Sequence, residues 1–592
     1  MITSYRRITF LASILVAAGL LFAVSGRPYL IYLIELVAIN LIVVYGLNVV
    51  MGFAGQATVG HAALFAVGAY SSALLVINYG CPVIISGIAA IIIPLIAALF
   101  LAFPSFKLGG VYLAVLTIAF NIIIHQLIIN LEKLTKGSVG ITGIPPILPN
   151  SVGPAVQLLP VLALVYIAYQ ANRNILRSFF VRELWAIREN ESLASAFGVN
   201  PYWTKIIAFE ISALFAGLGG FCYGHFMAYI SPDAGSFFVS VMFVMMLIAG
   251  GAGTLVGPII GAIVITIIPE LMQELDYFRQ SIFGLLLIFI ALFFPKGIYG
   301  LAARFLPGER RKPETNLSGG RPAFPSRWAH QASLPEEDVL LAVESIGKSF
   351  GGVQALSEVS LNVRQGNVHA VIGPNGSGKT TLINIISGFL RPNYGKVVFA
   401  GQSLVELPGH EIARRGITRT FQNLNLLEDQ TVMENILLGL HPWWRGSLVQ
   451  ALLGTRQAKV SESEKDAFCY GFLDRLGIEP LAFKKVSELS YGQRKLVEMC
   501  RALVSQPRVL LLDEPTSGLS QTEIGEFIDL VRNVKETGVT VILVEHHIDI
   551  VESISDWVTV LDEGLVIAQG TYKEIARNPK VVQAYLGETV AA

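Results

Sequence analysis

The run Gly373, Pro374, Asn375, Gly376, Ser377, Gly378, Lys379, Thr380, Thr381 has the residue types and spacing of a loop that wraps nucleotide phosphates. It follows the apolar stretch HAVIG and opens the helical pattern TLINIISG. Glycines let backbone amides close around the anion, and the helix N-terminus adds positive potential. Lys379 is then placed to reach the β and γ phosphates, and the Thr380 hydroxyl to ligate magnesium. Further on, RVLLLDEP puts Asp513 at the end of an apolar strand, where it would hold the hydrated metal. Glu514 is the candidate to polarise the attacking water, because a lysine and a metal stabilise charge without orienting a nucleophile.

These residues need a scaffold, and the sequence supplies one from residue 339 to 592. Short β-branched runs (LLAVESI, NVHAVIG, KVVFA, RVLLLDE, TVILVEH, WVTVLDEG) alternate with amphipathic helical patterns, which predicts an α/β domain with a largely parallel sheet. Before it, residues 306–338 are hydrophilic and contain Pro307, Pro313, Pro322, Pro325 and Pro335, the composition of a cytoplasmic linker.

Residues 1–305 have a different character. The 592-residue chain is 53% hydrophobic and only 15% charged, with mean hydropathy +0.59, beyond what a water-soluble fold uses. Apolar stretches of roughly the 20 residues needed to span a bilayer lie near 8–25, 29–51, 57–77, 83–103, 111–131, 155–171, 206–230, 237–268 and 281–295. The expectation is a polytopic α-helical membrane domain of eight to ten spans. GGAGTLVGP, Gly250 to Pro258, interrupts the run 237–268; close helix packing and a pathway-lining role are both open readings. Arg6 and Arg7 before the first run imitate a secretory signal, but the spans that follow favour a retained helix with its arginines in the cytoplasm. The polar stretch 172–205 reads as a cytoplasmic loop.

Lys+Arg and Asp+Glu number 43 each, so no net field recruits nucleic acid, and none is expected as a partner. Cys81, Cys222, Cys469 and Cys500 form no CxxC pair and read as small hydrophobes. Within the spans, Glu35, Asn48, Gln56, His61, Asn121, His125, Glu210 and His225 are functional candidates, although a helix–helix hydrogen bond accounts for each as well.

With both halves in view, the chain resembles the ABC transporters. LSYGQ (Leu489–Gln493) is similar to their signature motif, RTFQN (Arg419–Asn423) to the Q-loop with Gln422 as its metal-and-coupling glutamine, and His546 to the switch histidine. Phe350 in KSFGGVQAL stands where the adenine-stacking aromatic lies. Tyr491, in place of a common glycine, and Ser520, in place of the D-loop aspartate, depart from the pattern; the second puts the D-loop's usual contact across the dimer in doubt. MGFAGQATVGHAALFAVGAY (Met51–Tyr70), AIRENESLASAFGVNP (Ala186–Pro201), GGAGTLVGPIIGA (Gly250–Ala262) and GTYKEIARNPKVVQAYLGE (Gly570–Glu588) narrow the resemblance to branched-chain amino acid importers, as a fusion of permease and ATPase.

The resemblance implies a P-loop ABC ATPase fold that binds ATP and Mg2+. It also implies a head-to-tail ATPase dimer in which Ser490 and Gly492 reach the γ phosphate in trans, and a coupling loop at Arg188, Glu189, Asn190 and Glu191. The implied activity is ATP-driven import of branched-chain or other hydrophobic amino acids across a bacterial cytoplasmic (inner) membrane, with the ATPase in the cytoplasm. Partners would be a second permease and a second ATPase subunit, a homodimer being the alternative, and a periplasmic or lipid-anchored solute-binding protein. Urea, amides and aromatic acids are alternative substrates; an ABC exporter half-transporter and a membrane-tethered regulatory ATPase are alternative functions.

Overall fold

The structure is a computed structural model that describes residues 26–105, 110–149, 151–271, 279–294, 297–302, 339–443 and 446–586. The first expected span and the proline-containing linker lie outside the described residues. The rest divides into two compact units.

The first unit is helical: α1 (Pro28–Leu47), α2 (His61–Tyr79), α3 (Val83–Ser105), α4 (Gly110–Asn130), α5 (Pro154–Ile175), α8 (Pro201–Met227), α9 (Phe237–Gly250), α10 (Gly257–Leu271) and α11 (Arg279–Phe293). Between α5 and α8, residues 178–200 fold as two short helices, α6 (Phe179–Glu189) and α7 (Glu191–Ala196), where a loop was expected; both belong to the second unit. Among the described residues, six helices are long and apolar enough to cross a membrane, beginning at Pro28, His61, Val83, Tyr112, Pro154 and Pro201. The expected eight to ten are therefore not reached by length alone, because α9 and α10 are shorter apolar helices. The interruption at Gly250–Pro258 splits what reads in sequence as one run. Outward-facing Ile84, Ile88, Ile92 and Phe100 of α3 form an apolar surface suited to lipid.

Broken backbone in a hydrocarbon setting must find partners inside the protein. The α9–α10 connection does so: Asn48 accepts from the Gly253 amide at 2.8 Å and donates to the Thr254 carbonyl at 3.0 Å, while the Tyr45 hydroxyl donates to Leu255 at 3.1 Å. A Cβ on Gly261 would lie 1.6 Å from the Met246 carbonyl oxygen, so glycine there lets α9 and α10 touch backbone to backbone. Added Cβ atoms on Gly250 and Gly257 would also meet backbone oxygens, at 1.9 and 2.1 Å, so close packing accounts for these three glycines.

The second unit is built on a six-stranded sheet. Numbering strands along the chain, β1 (Leu341–Phe350), β2 (Val353–Val363), β4 (Tyr394–Phe399) and β5 (Gln402–Ser403) form an antiparallel sheet in the order β2-β1-β4-β5. The larger sheet runs β10-β9-β3-β8-β7-β6, from β3 (Val368–Ile372), β6 (Ile417–Arg419), β7 (Val509–Asp513), β8 (Thr540–Val544), β9 (Trp557–Asp562) and β10 (Leu565–Gly570). All its pairings are parallel except β9 with β10. Every residue of β3, β7 and β8 is buried, which explains why these strands read as continuous apolar runs. The C-terminal ends of β3, β7 and β8 converge on one edge, where open α/β sheets bind ligands. The principal helices around it are α12 (Lys379–Ile386), α13 (Val432–Gly439), α14 (Arg456–Arg475), α15 (Tyr491–Leu503) and α16 (Gln521–Glu536). No disulfide forms among the described residues; all four cysteines are free, and only Cys81 is not fully buried.

Candidate active site

The phosphate loop connects β3 to α12. Gly378 is the N-cap of α12 with φ +101°, and a Cβ there would meet the Ala355 carbonyl oxygen at 2.5 Å. Glycine is therefore required both by conformation and by the neighbouring strand. Asn375, Gly376 and Ser377 form the bend, and Lys379, Thr380 and Thr381 open the helix. The Lys379 ammonium donates to the carbonyls of Gly373 and Pro374, each at 2.8 Å. Its burial pushes the pKa down, against the opposing pull of Glu514 and Asp513.

Asp513 ends β7. Its Oδ2 accepts from Arg419 at 2.9 Å, while its buried Oδ1 has no hydrogen-bond partner. A buried carboxylate oxygen left open near Lys379 of the phosphate loop suits a hard, oxygen-seeking cation such as Mg2+. Burial raises the Asp513 pKa, and Arg419 opposes the rise.

Glu514 follows with φ +47°, uncommon for a residue with a side chain. That turn carries its carboxylate between two donors: Gln422 Nε2 reaches Oε2 at 2.8 Å and His546 Nε2 reaches Oε1 at 2.6 Å. The three residues singled out for water activation, coupling and switching thus form one hydrogen-bonded row. Because a carboxylate only accepts, His546 must carry its proton on Nε2.

Phe350, last residue of β1, is 47% exposed with Lys348 Nζ 5.3 Å from its ring centroid, so a ring face remains for stacking. Ser490 is the N-cap of α15 in a capping box with Gln493. Gly492 lies against Glu523, whose Oε1 would be 1.8 Å from an added Cβ. Ser520, the departure at the D-loop, caps α16 and holds Glu523 in a second capping box. Its hydroxyl is committed within the chain.

Two residues on which the site depends were not singled out from the sequence. Arg419 donates to Asn384 at 2.5 Å and Ser387 at 3.1 Å on and just after α12, and to Asp513 on β7, while its guanidinium lies 5.2 Å from the Phe421 ring centroid. Glu545, buried at the end of β8, accepts from the Thr516 hydroxyl at 2.6 Å and the His546 amide at 3.0 Å, fixing the His546 backbone. Arg419 stands inside the quoted RTFQN, and a charge between an apolar strand and an aromatic was the available signal.

The α6–α7 segment packs within the same unit. Ala186, Ile187, Leu193, Phe197 and Val199 form an apolar cluster with Leu427 and Leu438, against which Phe389 and Phe421 also pack. Phe421 is the immediate neighbour of Gln422, and Phe197 lies 4.7 Å from the guanidinium carbon of buried Arg501 on α15. The segment therefore touches both the Q-loop and the helix that begins at Ser490. Arg182 donates to Glu462 at 2.5 Å, Lys465 reaches the same carboxylate at 2.8 Å, and Glu183 lies 3.4 Å from His441. Although burial works against its charge, Arg182 and Lys465 hold the Glu462 pKa below its ordinary value. Arg188 and Glu189 close α6, Asn190 caps α7 through Ser192, and Glu191 begins α7. Burial raises the Glu189 pKa, Arg188 opposes this, and Asp429 and Glu428 add to it.

Both halves of the chain are similar to known proteins. Residues 29–294 match the family described as branched-chain amino acid transport system / permease component, residues 356–517 the ABC transporter family, and residues 566–591 the branched-chain amino acid ATP-binding cassette transporter family. The chain is 39% identical over 250 residues to the high-affinity branched-chain amino acid transport ATP-binding protein LivG of Salmonella typhimurium, covering 42% of this chain and 98% of that one. It is 38% identical, with the same coverage, to the corresponding protein BraF of Pseudomonas aeruginosa. Among solved structures, a nucleotide-free ATP-binding cassette from an ABC transporter is 37% identical, covering 42% of this chain and 100% of that one, with a TM-score of 0.38. The chain belongs to the branched-chain amino acid ABC transporter family and carries a permease and an ATP-hydrolysing domain fused in one polypeptide.

Proposed function

We propose that this protein is one half of an importer that uses Mg2+ and ATP to carry branched-chain or other hydrophobic amino acids inward across a bacterial cytoplasmic membrane. The observation that carries the reading is the continuous packing from α6–α7 through Phe421 and Gln422 to Glu514. A permease segment and a hydrolytic carboxylate are thereby joined by direct contacts. Lys379 and the loop amides hold the phosphates, and Phe350 stacks on the base. Bound to Asp513, Thr380 and Gln422, the metal would neutralise phosphate charge. Glu514, held by Gln422 and His546, orients water toward the γ phosphate.

Ser490 and Gly492 belong to the face that completes a partner's site, so the reading requires a second ATPase and a second permease, with a solute-binding protein delivering substrate. Ser520, occupied in its own capping box, fits a partner whose composite site differs. Residues 1–305 would serve as the permease with eight to ten spans, α9 and α10 crossing as a close-packed broken pair. Residues 306–338 would be the linker, and 339–592 the ATPase.

Vesicles containing the chain with coexpressed partner subunits should take up L-leucine with ATP and binding protein. The chain alone should hydrolyse ATP weakly and take up none. Full transport by the chain as sole membrane component would replace the heteromer with a homodimer, and stimulation by lipophilic compounds instead of binding protein would point to export.

A further inference from the structure

The membrane unit holds a partly open cavity of about 340 Å3 whose lining includes Ile31 and Glu35 of α1, Ile147, Gln157 of α5, and His225 and Phe226 of α8. Its size lies at the lower end of the range, about 300–1,000 Å3, used for small-molecule sites. The polar lining residues differ in what they have left to offer. Gln157 donates to the carbonyls of Leu148 at 3.1 Å and Pro149 at 3.3 Å, and its oxygen accepts from the Leu148 amide. His225 has both nitrogens engaged, Nδ1 with the Pro145 carbonyl at 2.6 Å and Nε2 with Ser72 at 2.8 Å. These two side chains hold the 145–149 wall in place.

Glu35 is different. It is only 3% exposed, yet among the described residues nothing hydrogen-bonds or ion-pairs with it. A carboxylate taken out of water without a partner is costly, and within a membrane domain such a group is retained where a cation or donor comes to meet it.

The cavity's place in the fold gives its direction. Helices α1 and α5 run parallel: Ile31 packs on Leu158 at their starts, and Asn48, just beyond α1, meets Asn172 of α5 at their ends. The cavity sits at the starts of α1 and α5 and the end of α8. The chain leaves α5 at its other end for α6 and α7 and returns into the start of α8. With the ATPase in the cytoplasm, the cavity lies toward the outer face.

We infer that this cavity is an outward-side substrate site in which the Glu35 carboxylate receives the ammonium group of an amino acid whose apolar side chain lies against Ile31, Ile147 and Phe226. The inference rests on the import reading and adds the residue that selects for the cation. A ligand of the same carbon skeleton without the ammonium offers Glu35 nothing and leaves it unpaired.

The test is ligand-dependent melting of the full chain in lipid nanodiscs, without binding protein, together with uptake by the assembled transporter. Millimolar L-leucine should raise the melting temperature of the wild type, and 4-methyl-2-oxopentanoate should not. Glu35→Gln should lose the shift while melting normally without ligand, and Ile147→Trp, which fills the cavity but keeps the carboxylate, should lose it too. In the assembled transporter, Glu35→Gln should lower leucine uptake about tenfold or more, with partial recovery in Glu35→Asp. A leucine shift retained in Glu35→Gln, an equal shift from the oxo acid, or no shift in a wild type that does import leucine overturns the site alone. A Glu35→Gln chain that melts early without ligand makes the residue structural and also overturns it. A wild-type transporter that imports no leucine overturns the import reading and this site with it.

Discussion

Arg419 and Asp513 form a buried ion pair at 2.9 Å, with exposures of 6% and 1%, within the candidate ATP site. The pair joins the residue three before the Q-loop glutamine to the metal-binding candidate, and Arg419 carries the connection on to Asn384 and Ser387. A change at the phosphate-loop helix, at β7 or at Phe421 is therefore felt by one guanidinium.

Arg419→Met is expected to leave Asp513 buried and unpaired, costing about 3 kcal/mol or more of stability in the absence of metal. Thermal melting of the purified protein with and without Mg2+ checks this. Magnesium should recover part of the loss, since a divalent cation can neutralise Asp513. A melting temperature unchanged in metal-free buffer would show that the pair is dispensable.

Glu514→Gln should retain ATP binding and lower hydrolysis by about a hundredfold or more, because phosphate contacts survive while water orientation does not. His546→Ala and Gln422→Ala, which each remove one donor from the carboxylate, should have smaller effects of the same kind. Lys379→Ala should weaken nucleotide binding as well as turnover. Filter binding and phosphate release separate these cases, and near-normal turnover in Glu514→Gln would remove that residue from its role.

At the α6–α7 contact, Arg182→Glu should lower transport far more than basal ATP hydrolysis, and pairing it with Glu462→Arg should recover part of the transport. Glu189→Lys should be milder, because Glu189 faces acidic Asp429 and Glu428. Uptake per ATP hydrolysed, measured in vesicles with partner subunits, reports on each. Equal loss of uptake and hydrolysis in Arg182→Glu would count against a coupling role.

The same contact should respond to acid. Burial first, then Lys465 and Arg182, push the His441 pKa from 6.5 down to about 3, so the imidazole is neutral where it meets Glu183. Opening the contact frees a histidine that takes up a proton. The closed state is therefore fully favoured above about pH 6.5 and weakens as pH falls from there toward 3, by at most about 1.4 kcal/mol per pH unit. Hydrogen exchange across residues 178–201, corrected for intrinsic rate, should show protection falling between pH 7.5 and 5.5 in the wild type. His441→Asn should flatten that fall, and an equal fall in both would exclude His441 as its cause.

The sequence by itself determined that an ATP-hydrolysing domain follows a membrane domain. Lys379, Thr380, Asp513 and Glu514 were legible as candidates because a phosphate loop and a strand ending in two carboxylates are set by local spacing, and six of the expected eight to ten spans because a bilayer demands long apolar runs. What tertiary structure decided was partnership. Arg419 and Glu545 act through residues far away in sequence, so no local pattern marks them. The charged stretch that reads as a solvated loop folds into α6 and α7, because Ile187, Leu193 and Phe197 find a surface on the ATPase that periodicity cannot name. Of the polar residues within the spans, Asn48 and His225 proved to be bound to backbone, while Glu35 stands without a partner among the described residues beside a cavity. Side-chain type is written in the chain, but satisfaction of a buried polar group is a property of its neighbours, and only folding brings those neighbours together.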